Sequence, residues 1–438
     1  MRIKYSYYRD SSISWVGRIP KHWETKRLKY IFRIQKRIAG ELGYNVLSIT
    51  QHGIKVKDIT SGKGQLAMDY SKYQRIYTGE FGMNHMDLLT GYVDISKYDG
   101  VISPDYRVFS QIDNQSDKNY MLRLLQMCYK QKIFFAEGQG AAQLGRWRMP
   151  SDNFKNFLFP VPPKQEQIAI AQFLNYKVAK INRFVQQKRQ ILALYTERRK
   201  SLTRNIINSK GVKYLRLNSV AKLIERPIER LDNDIYIPIG VFNKGRGLFH
   251  KPPTLGKELG DSSFYYLKKG DVILSGQFAW EGAVALVGIN DDGCVASHRY
   301  PVLDCDLSNI VPEYLFSLFT ISEGHLLLDY HSRGAAGRNR PLNPRFLIKE
   351  KIPVPEISLQ KELIEFVRKE NELKTLINRE IALVEEYKAA LIAEVVTGKI
   401  DVRNYAIPDI TEGETYEELE EELSIAAEDG EEYETLEY

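Results

Sequence analysis

Only three cysteines occur in 438 residues, Cys128, Cys294 and Cys305. They are too few and too scattered for a disulfide framework or a four-ligand zinc site, which suits a reducing compartment. No run of 18 apolar residues exists to form a membrane-spanning helix. The opening MRIKYSYYRD lacks the apolar core of a secretory signal, so a cytoplasmic location is expected. No G-x-x-x-x-G-K-[ST] loop is present to cradle a nucleotide, and Gly138-Gln139-Gly140 falls short of a dinucleotide fingerprint. The seven histidines form no H-E-x-x-H pair.

Two partial motifs fail in the same way. Pro104-Asp105 opens a nuclease-like pair, but no acidic-x-Lys follows at a usable distance, and the counterpart in the second half is His298-Arg299. Asn343-Pro344-Arg345-Phe346 is one residue from the N-P-P-[YF] motif that holds a flipped base, with Arg345 in place of the second proline. Its copy, Ser151-Asp152-Asn153-Phe154, abandons the motif. No catalytic residue, metal site or cofactor is therefore expected in this chain.

What the sequence does contain is positive charge. The net charge of +6 hides an acidic end: residues 409–438 hold 14 acidic side chains and no Lys or Arg. Without them, residues 1–408 carry a net charge of +20. Such a body favours a polyanionic partner, because each cation placed on a phosphate releases condensed counterions. The acidic end, residues 401–438 in the domain division below, is expected to be disordered.

The chain also repeats itself. GAAQLGRWR (140–148) returns 194 positions later as GAAGRNR (334–340), and at the same offset Val101-Ile102-Ser103 matches Val295-Ala296-Ser297 and Tyr120 matches Tyr314. Phe154 and Phe346 follow, then Pro160-Val161-Pro162 against Pro353-Val354-Pro355. Arg27-Leu28 against Arg216-Leu217, and Leu202 and Ile206 against Leu391 and Val395, lie at an offset of 189. The order is the same in both halves, so the chain is an internal duplication.

After each PVP the pattern becomes helical. Residues 164–208 contain no Pro or Gly, and a seam spaced by threes and fours runs through Leu174, Val178, Ile181, Val185, Lys188, Leu192, Tyr195, Arg199, Leu202 and Ile206. Residues 358–396 repeat it through Leu363, Val367, Glu370, Lys374, Ile377, Ile381, Val384, Lys388, Leu391 and Val395. A 3.5-residue spacing is a coiled-coil stripe. The matching register and length favour packing of the two helices on each other over packing of each on its own domain. NSKG (208–211) and TGKI (397–400) suit helix ends. Elsewhere, strands are expected at 235–241 and 283–289, with short helices near 118–131 and 312–328.

The candidate binding residues are those that suit phosphate or base edges. Arg146, Trp147 and Arg148 end the first Gly-Ala-Ala stretch, and Arg338, Asn339 and Arg340 end the second. Arginine presents a planar fork to guanine or phosphate, and asparagine suits adenine. His52, Lys55 and Lys57, then Lys244, Arg246, His250 and Lys251, form two further basic stretches. Gln277, His298, Arg299 and Arg345 complete the set, while Trp280 suits core packing. For any single arginine, the competing reading is a cap on a local carboxylate or turn.

These features together resemble the specificity subunit of a Type I restriction–modification enzyme. SWVGRIPKHW (14–23) is similar to the opening of the family's first target-recognition domain. PVPPKQEQIAIAQFL (160–174) and PVPEISLQKELIEFV (353–367) are similar to the starts of its two long helices, and IAEVVTGKI (392–400) to its last helix end. The resemblance spans about residues 8–405. It implies a mixed α/β (α+β) fold: two pseudo-repeated globular target-recognition domains separated by two long antiparallel coiled-coil helices. The expected division is 1–160 and 211–352 for the two domains, 161–210 and 353–400 for the helices. It also implies double-stranded DNA as ligand, two methyltransferase subunits and restriction or motor subunits as partners, and a bipartite DNA target. S-adenosylmethionine, ATP and Mg2+ would belong to those partners. A pure assembly scaffold without direct base readout is the alternative. The acidic end departs from the family's usual pattern.

Overall fold

A computed structural model describes residues 3–60, 67–139, 147–334 and 340–407. They group into two compact units. Among the described residues, the first takes the chain up to Gln186 together with 381–407; the second takes Gln187–Glu380. The boundary cuts through both long helices, so each unit contains half of each.

The two units are built on one plan. In the first, an antiparallel four-stranded sheet runs in the order Phe32–Gln35, Arg107–Gln111, Phe81–Met83, Val93–Ile95. In the second, the order is Ala221–Ile224, Val302–Cys305, Val272–Leu274, Val284–Leu286. Each unit adds a hairpin, Leu47–Thr50 with Gly53–Val56 or Ile239–Phe242 with Gly247–His250. Each also closes its chain with a strand pair, Glu24–Arg27 on Leu158–Val161 or Lys213–Arg216 on Lys351–Val354. The last pairings explain why the Arg-Leu and PVP words recur together: they are two sides of one ladder.

The inner strands Phe81–Met83 and Val272–Leu274 are buried along their whole length. Phe32, Phe81, Phe109 and Phe154 pack in the first core with ring centroids about 5 Å apart. Tyr120 and Tyr314, the repeated pair, are wholly buried, and each hydroxyl donates to the carbonyl of its own PVP strand, Pro160 at 3.0 Å and Pro353 at 2.7 Å. Each side chain of this size contributes about 1.5–3 kcal/mol through burial, and the buried hydroxyls are not left unpaired.

The central helix is Lys164–Ile207, about 66 Å long at ~1.5 Å per residue. The C-terminal helix is Glu362–Val396, preceded by one short turn, Ile357–Gln360. A buried glutamine anchors each start. Gln167 accepts from Asp117 N (2.8 Å) and donates to Pro162 O (2.8 Å); Gln360 accepts from Val311 N (3.0 Å) and donates to Pro355 O (2.8 Å). The first start is tied further by Glu166, which receives the Trp23 indole at 2.9 Å, the Tyr5 hydroxyl at 2.5 Å and the His22 ring at 2.8 Å. His22 and Trp23 of the opening motif are thus structural. Gly398, at φ +75°, ends the last helix where a Cβ would strike Pro20 at 2.4 Å.

In each unit the half-helices run antiparallel. In the second unit Lys188 meets Glu380 at 2.7 Å, while farther along Thr196 and Arg199 meet Glu370 at 2.9 and 2.7 Å. In the first, Lys388 donates to Asn182 at 3.1 Å, and Phe173 packs on Tyr405. Along the seam, Leu174, Val178, Val185, Ile377 and Leu391 are buried, while Ile181, Leu192, Leu202, Ile381 and Val384 are half-buried. Tyr195 lies at the solvent edge with its ring 6.0 Å from Phe366.

Two expectations about strands need correction. Residues 235–241 are not one strand but two, Ile235–Tyr236 and Ile239–Phe242, because Pro238 has no N–H to continue a ladder. Residues 283–289 shorten to Val284–Leu286, after which the backbone tightens into a 3-10 turn at Ile289–Asp291.

Candidate nucleic-acid interface

Both copies of the repeated word stand on the same frame. In the first unit, Gln139 and Arg148 bridge in both directions, at 2.9 and 3.1 Å, and Met149 N donates to His85 O at 2.9 Å. In the second, Ser332 bridges Leu342, and Leu342 N donates to Gly276 O at 2.8 Å. Arg146 in the first copy, and Arg338 and Asn339 in the second, lie outside the described residues.

The surroundings of the two frames differ. Trp147 packs on Phe135 with centroids 4.7 Å apart, and Arg148 is exposed. Beneath them Arg107 is buried; its Nη2 donates to Met149 O (2.9 Å) and Ser151 Oγ (3.3 Å), and its guanidinium lies 4.8 Å from the Phe154 ring centroid. Its Nη1, His85 Nδ1 and Asn84 Oδ1 are buried with no hydrogen-bond partner among the described residues. Burial lowers the Arg107 guanidinium to about 10, with Arg148 acting in the same direction. Burial, then Arg107 and Arg148, push the His85 ring down to about 3. It is therefore neutral near pH 7.

In the second unit Arg340 is tied down. Its Nη2 donates to Asp329 Oδ1 at 2.7 Å, its Nε to Ser332 O at 3.2 Å, and it stacks over Trp280 at 5.0 Å. Trp280, expected in the core, is instead half-buried, with its indole N–H on Gln277 O at 3.1 Å. Gly276 N donates to Arg299 O at 2.7 Å, and a Cβ on Gly276 would lie 2.4 Å from that oxygen. The fold thus brings the exposed Gln277 and the exposed turn of His298 and Arg299 close to the Arg340 frame.

The basic hairpins are also matched. His52 sits at the first turn, Lys55 opposes Ser48, and Lys57 N donates to Val46 O at 2.8 Å. Asp94 accepts from Ile54 N at 3.1 Å and holds this hairpin from below. In the second, Lys244 takes a left-handed conformation and its N–H donates to Glu281 O at 3.0 Å. Arg246 lies over Phe242 at 4.9 Å, and Lys374 donates to the Arg246 carbonyl. This hairpin turn therefore adjoins the 275–282 segment. Arg345 is exposed on the short helix Pro344–Leu347, and Asn343 caps that helix through Phe346 N at 3.3 Å. The near-miss methyltransferase motif is a helix cap.

His250 Nε2 meets both Asp291 Oδ1 (2.8 Å) and Cys294 Sγ (3.9 Å). A relay would need the carboxylate on the other ring nitrogen, and burial raises the Cys294 thiol. Among the described residues no cluster of His, Cys, Asp or Glu could hold a metal ion, and no helix is long and apolar enough to cross a membrane. Arg107, His85 and Asp329 escaped the sequence reading. Nothing in YRVF or NHMD marks a side chain as buried, and only the fold places Asp329 against an arginine 11 residues away.

The two units thus share a duplicated mixed α/β plan with long helices and matched frames. Residues 20–193 match the family model of the Type I restriction modification DNA specificity domain. Over these residues the chain is similar to the Type I restriction–modification specificity family. Among solved structures, the HsdS subunit from Thermoanaerobacter tengcongensis is 13% identical, with 87% of this chain and 98% of that one covered and a TM-score of 0.41. The S subunit from M. genitalium is 12% identical over 93% and 100%, with a TM-score of 0.43. A chain from work on complex assembly and conformational transition of the type I R-M system is 13% identical over 87% and 99%, with a TM-score of 0.49. No curated protein matches.

Proposed function

We propose that this chain reads a bipartite double-stranded DNA target, one half-site per unit, and positions two methyltransferase subunits and restriction or motor subunits on it. The supporting observation is the repetition of one frame with different occupants. The bridges Gln139–Arg148 and Ser332–Leu342 flank the two copies, but the side chains beside them differ: Trp147 and Arg148 in the first unit, Trp280, Gln277 and Arg340 in the second. Equal frames with unequal side chains suit two different half-site sequences read in one manner. In this reading the binding residues are His52, Lys55, Lys57, Arg146, Trp147 and Arg148 in the first domain. In the second they are Lys244, Arg246, Gln277, His298, Arg299, Arg338, Asn339, Arg340 and Arg345.

The domains are taken as 1–160 and 211–352, and the helices 161–210 and 353–400 as the spacer that sets the unread gap. S-adenosylmethionine, ATP and Mg2+ serve the partner subunits in a cytoplasmic complex. Methylome sequencing of a host carrying this chain with its methyltransferase gives the target. A split motif whose two halves change separately when residues of one domain or the other are exchanged supports the reading. A contiguous motif overturns it. For the isolated chain, duplex affinity that falls steeply with salt supports direct contact, and no binding at about 50 mM salt turns the assignment to a scaffold. Deleting four residues within 174–200, about one helical turn or ~6 Å, should alter the gap and leave both half-site sequences intact.

A further inference from the structure

One position in the repeated plan is filled in the first unit and open in the second. The two places correspond bond for bond. Arg75 pairs with Val101, and its N–H donates to Arg37 O at 2.6 Å. Tyr266 pairs with Val295, and its N–H donates to Arg226 O at 2.8 Å. Val101 N donates to Asn45 O at 2.9 Å and Val295 N to Ile237 O at 3.0 Å, so Tyr44 matches Tyr236. Thr78 N donates to Asp99 Oδ1 at 2.7 Å, and Lys269 N donates to Asp292 Oδ1 at 2.8 Å.

In the first unit this place holds a guanidinium. Arg75 lies 3.6 Å from the Tyr44 ring centroid and 5.3 Å from that of Tyr77. The Thr78 hydrogen bonds, and after them the Arg75 charge, hold the Asp99 carboxyl below its usual range. In the second unit Tyr266 stands where the arginine would be, and a cavity of about 330 Å³ opens beside it. Tyr236, Tyr266, Asp234, Asn290 and Asp292 line it, and among the described residues its lining contains no Lys or Arg. The Tyr236 wall is fixed: the residue is buried, and its hydroxyl donates to Glu229 O at 2.9 Å and accepts from Leu231 N at 3.1 Å.

Two carboxylates at the rim repel a phosphate and attract a cation. A guanidinium suits the walls as well as the rim, because it is flat, weakly hydrated, stacks on aromatic faces and bonds carboxylates as a fork. An ammonium is compact and strongly hydrated, so it gains less from a tyrosine wall. The volume stands at the lower end of the roughly 300–1,000 Å³ of small-ligand sites. We propose that the cavity between Tyr236 and Tyr266 binds a guanidinium group from outside the chain, in the place where the first unit supplies its own through Arg75. The site does not depend on the DNA reading above.

The test titrates the full chain with methylguanidinium, followed by saturation-transfer NMR. Binding should have a Kd on the order of 1 mM, be weaker for methylammonium, and be absent for the neutral isostere methylurea. Tyr266 is exposed, so its substitution carries little folding risk. Tyr266→Arg should fill the cavity from within, as Arg75 does, and abolish uptake. Asp234→Asn combined with Asp292→Asn, which keeps an acceptor for Lys269 N, should weaken uptake several-fold. An acetylated Gly-Arg-Gly amide that binds more tightly than methylguanidinium assigns the group to an arginine of a protein partner. Exclusion of that peptide, with methylguanidinium still bound, assigns it to a free small cation. Methylguanidinium that binds no better than methylurea, or equally well to the Tyr266→Arg chain, overturns the inference.

Discussion

The two units share a sheet order, a closing strand pair, a hairpin and a loop frame, yet they differ in how several charged side chains are partnered. The first keeps Arg107 without a carboxylate partner among the described residues and seats its helix start on Glu166, with Trp23, Tyr5 and His22 around it. The second balances Arg340 with Asp329 and has Leu359 where the first has Glu166. The seam shows the reverse. Arg199 in the second unit is buried with Glu370 and also donates to Thr320 at 2.7 Å, whereas Lys388, its repeat counterpart, meets Asn182 at 3.1 Å and Glu385. Duplication preserved the hydrogen-bonded frame and the apolar pattern. Charges were free to change, because a pair can be moved, balanced or replaced at little cost if no partner is left alone.

The largest effect should come from breaking the seam comparison. Arg199→Ala leaves Glu370 buried beside Thr196 with an unpaired charge and should destabilise the second unit by about 3–5 kcal/mol. Lys388→Ala, which removes a hydrogen bond to Asn182 and a pair with the half-exposed Glu385 one turn away, should cost about 1 kcal/mol. Calorimetry of both variants checks this, and equal losses would show that the two seams are held alike. Replacing Arg199 and Glu370 together by Met and Leu should recover most of the loss.

A smaller effect tests where the units are the same. Gln167→Ala and Gln360→Ala each strand a backbone N–H and a proline carbonyl at a helix start. Each should cost about 1–3 kcal/mol. Hydrogen exchange should show the loss confined to residues 113–117 in the first variant and 309–311 in the second. A large effect in one and none in the other would break the equivalence of the two anchors.

The smallest effect is set by pH. His85 has its pKa lowered from 6.5 to about 3 by burial first and by Arg107 and Arg148 second. The folded state therefore binds fewer protons than the unfolded one, and stability is full above about pH 6.5 and falls as pH drops toward 3. At pH 5.5 the loss should be about 1 kcal/mol. His85→Gln should flatten that part of the acid limb. The second unit has Gly276 at the matching place in its frame, and its exchange protection should not respond to the substitution.

Periodicity made the long helices legible, because a stripe repeated over 44 residues has no other stable conformation. Internal repetition did the same for the two-unit plan, since PVP, Tyr120 and Tyr314 recur where one ladder and one hydroxyl bond recur. Residues 235–241 misled, since an apolar run does not reveal that Pro238 interrupts its ladder.

The sequence by itself determined the duplication, the helices, the positive body and the lack of familiar catalytic motifs, all of which depend on composition or on spacing along one chain. Only the tertiary structure decided which basic residues are balanced. Arg340 with Asp329 and Arg199 with Glu370 are pairs that meet across 11 and 171 positions, and Arg107 has no carboxylate partner among the described residues. Whether a charge is buried or paired depends on what lies within a few ångströms of it. Linear order does not record that neighbourhood.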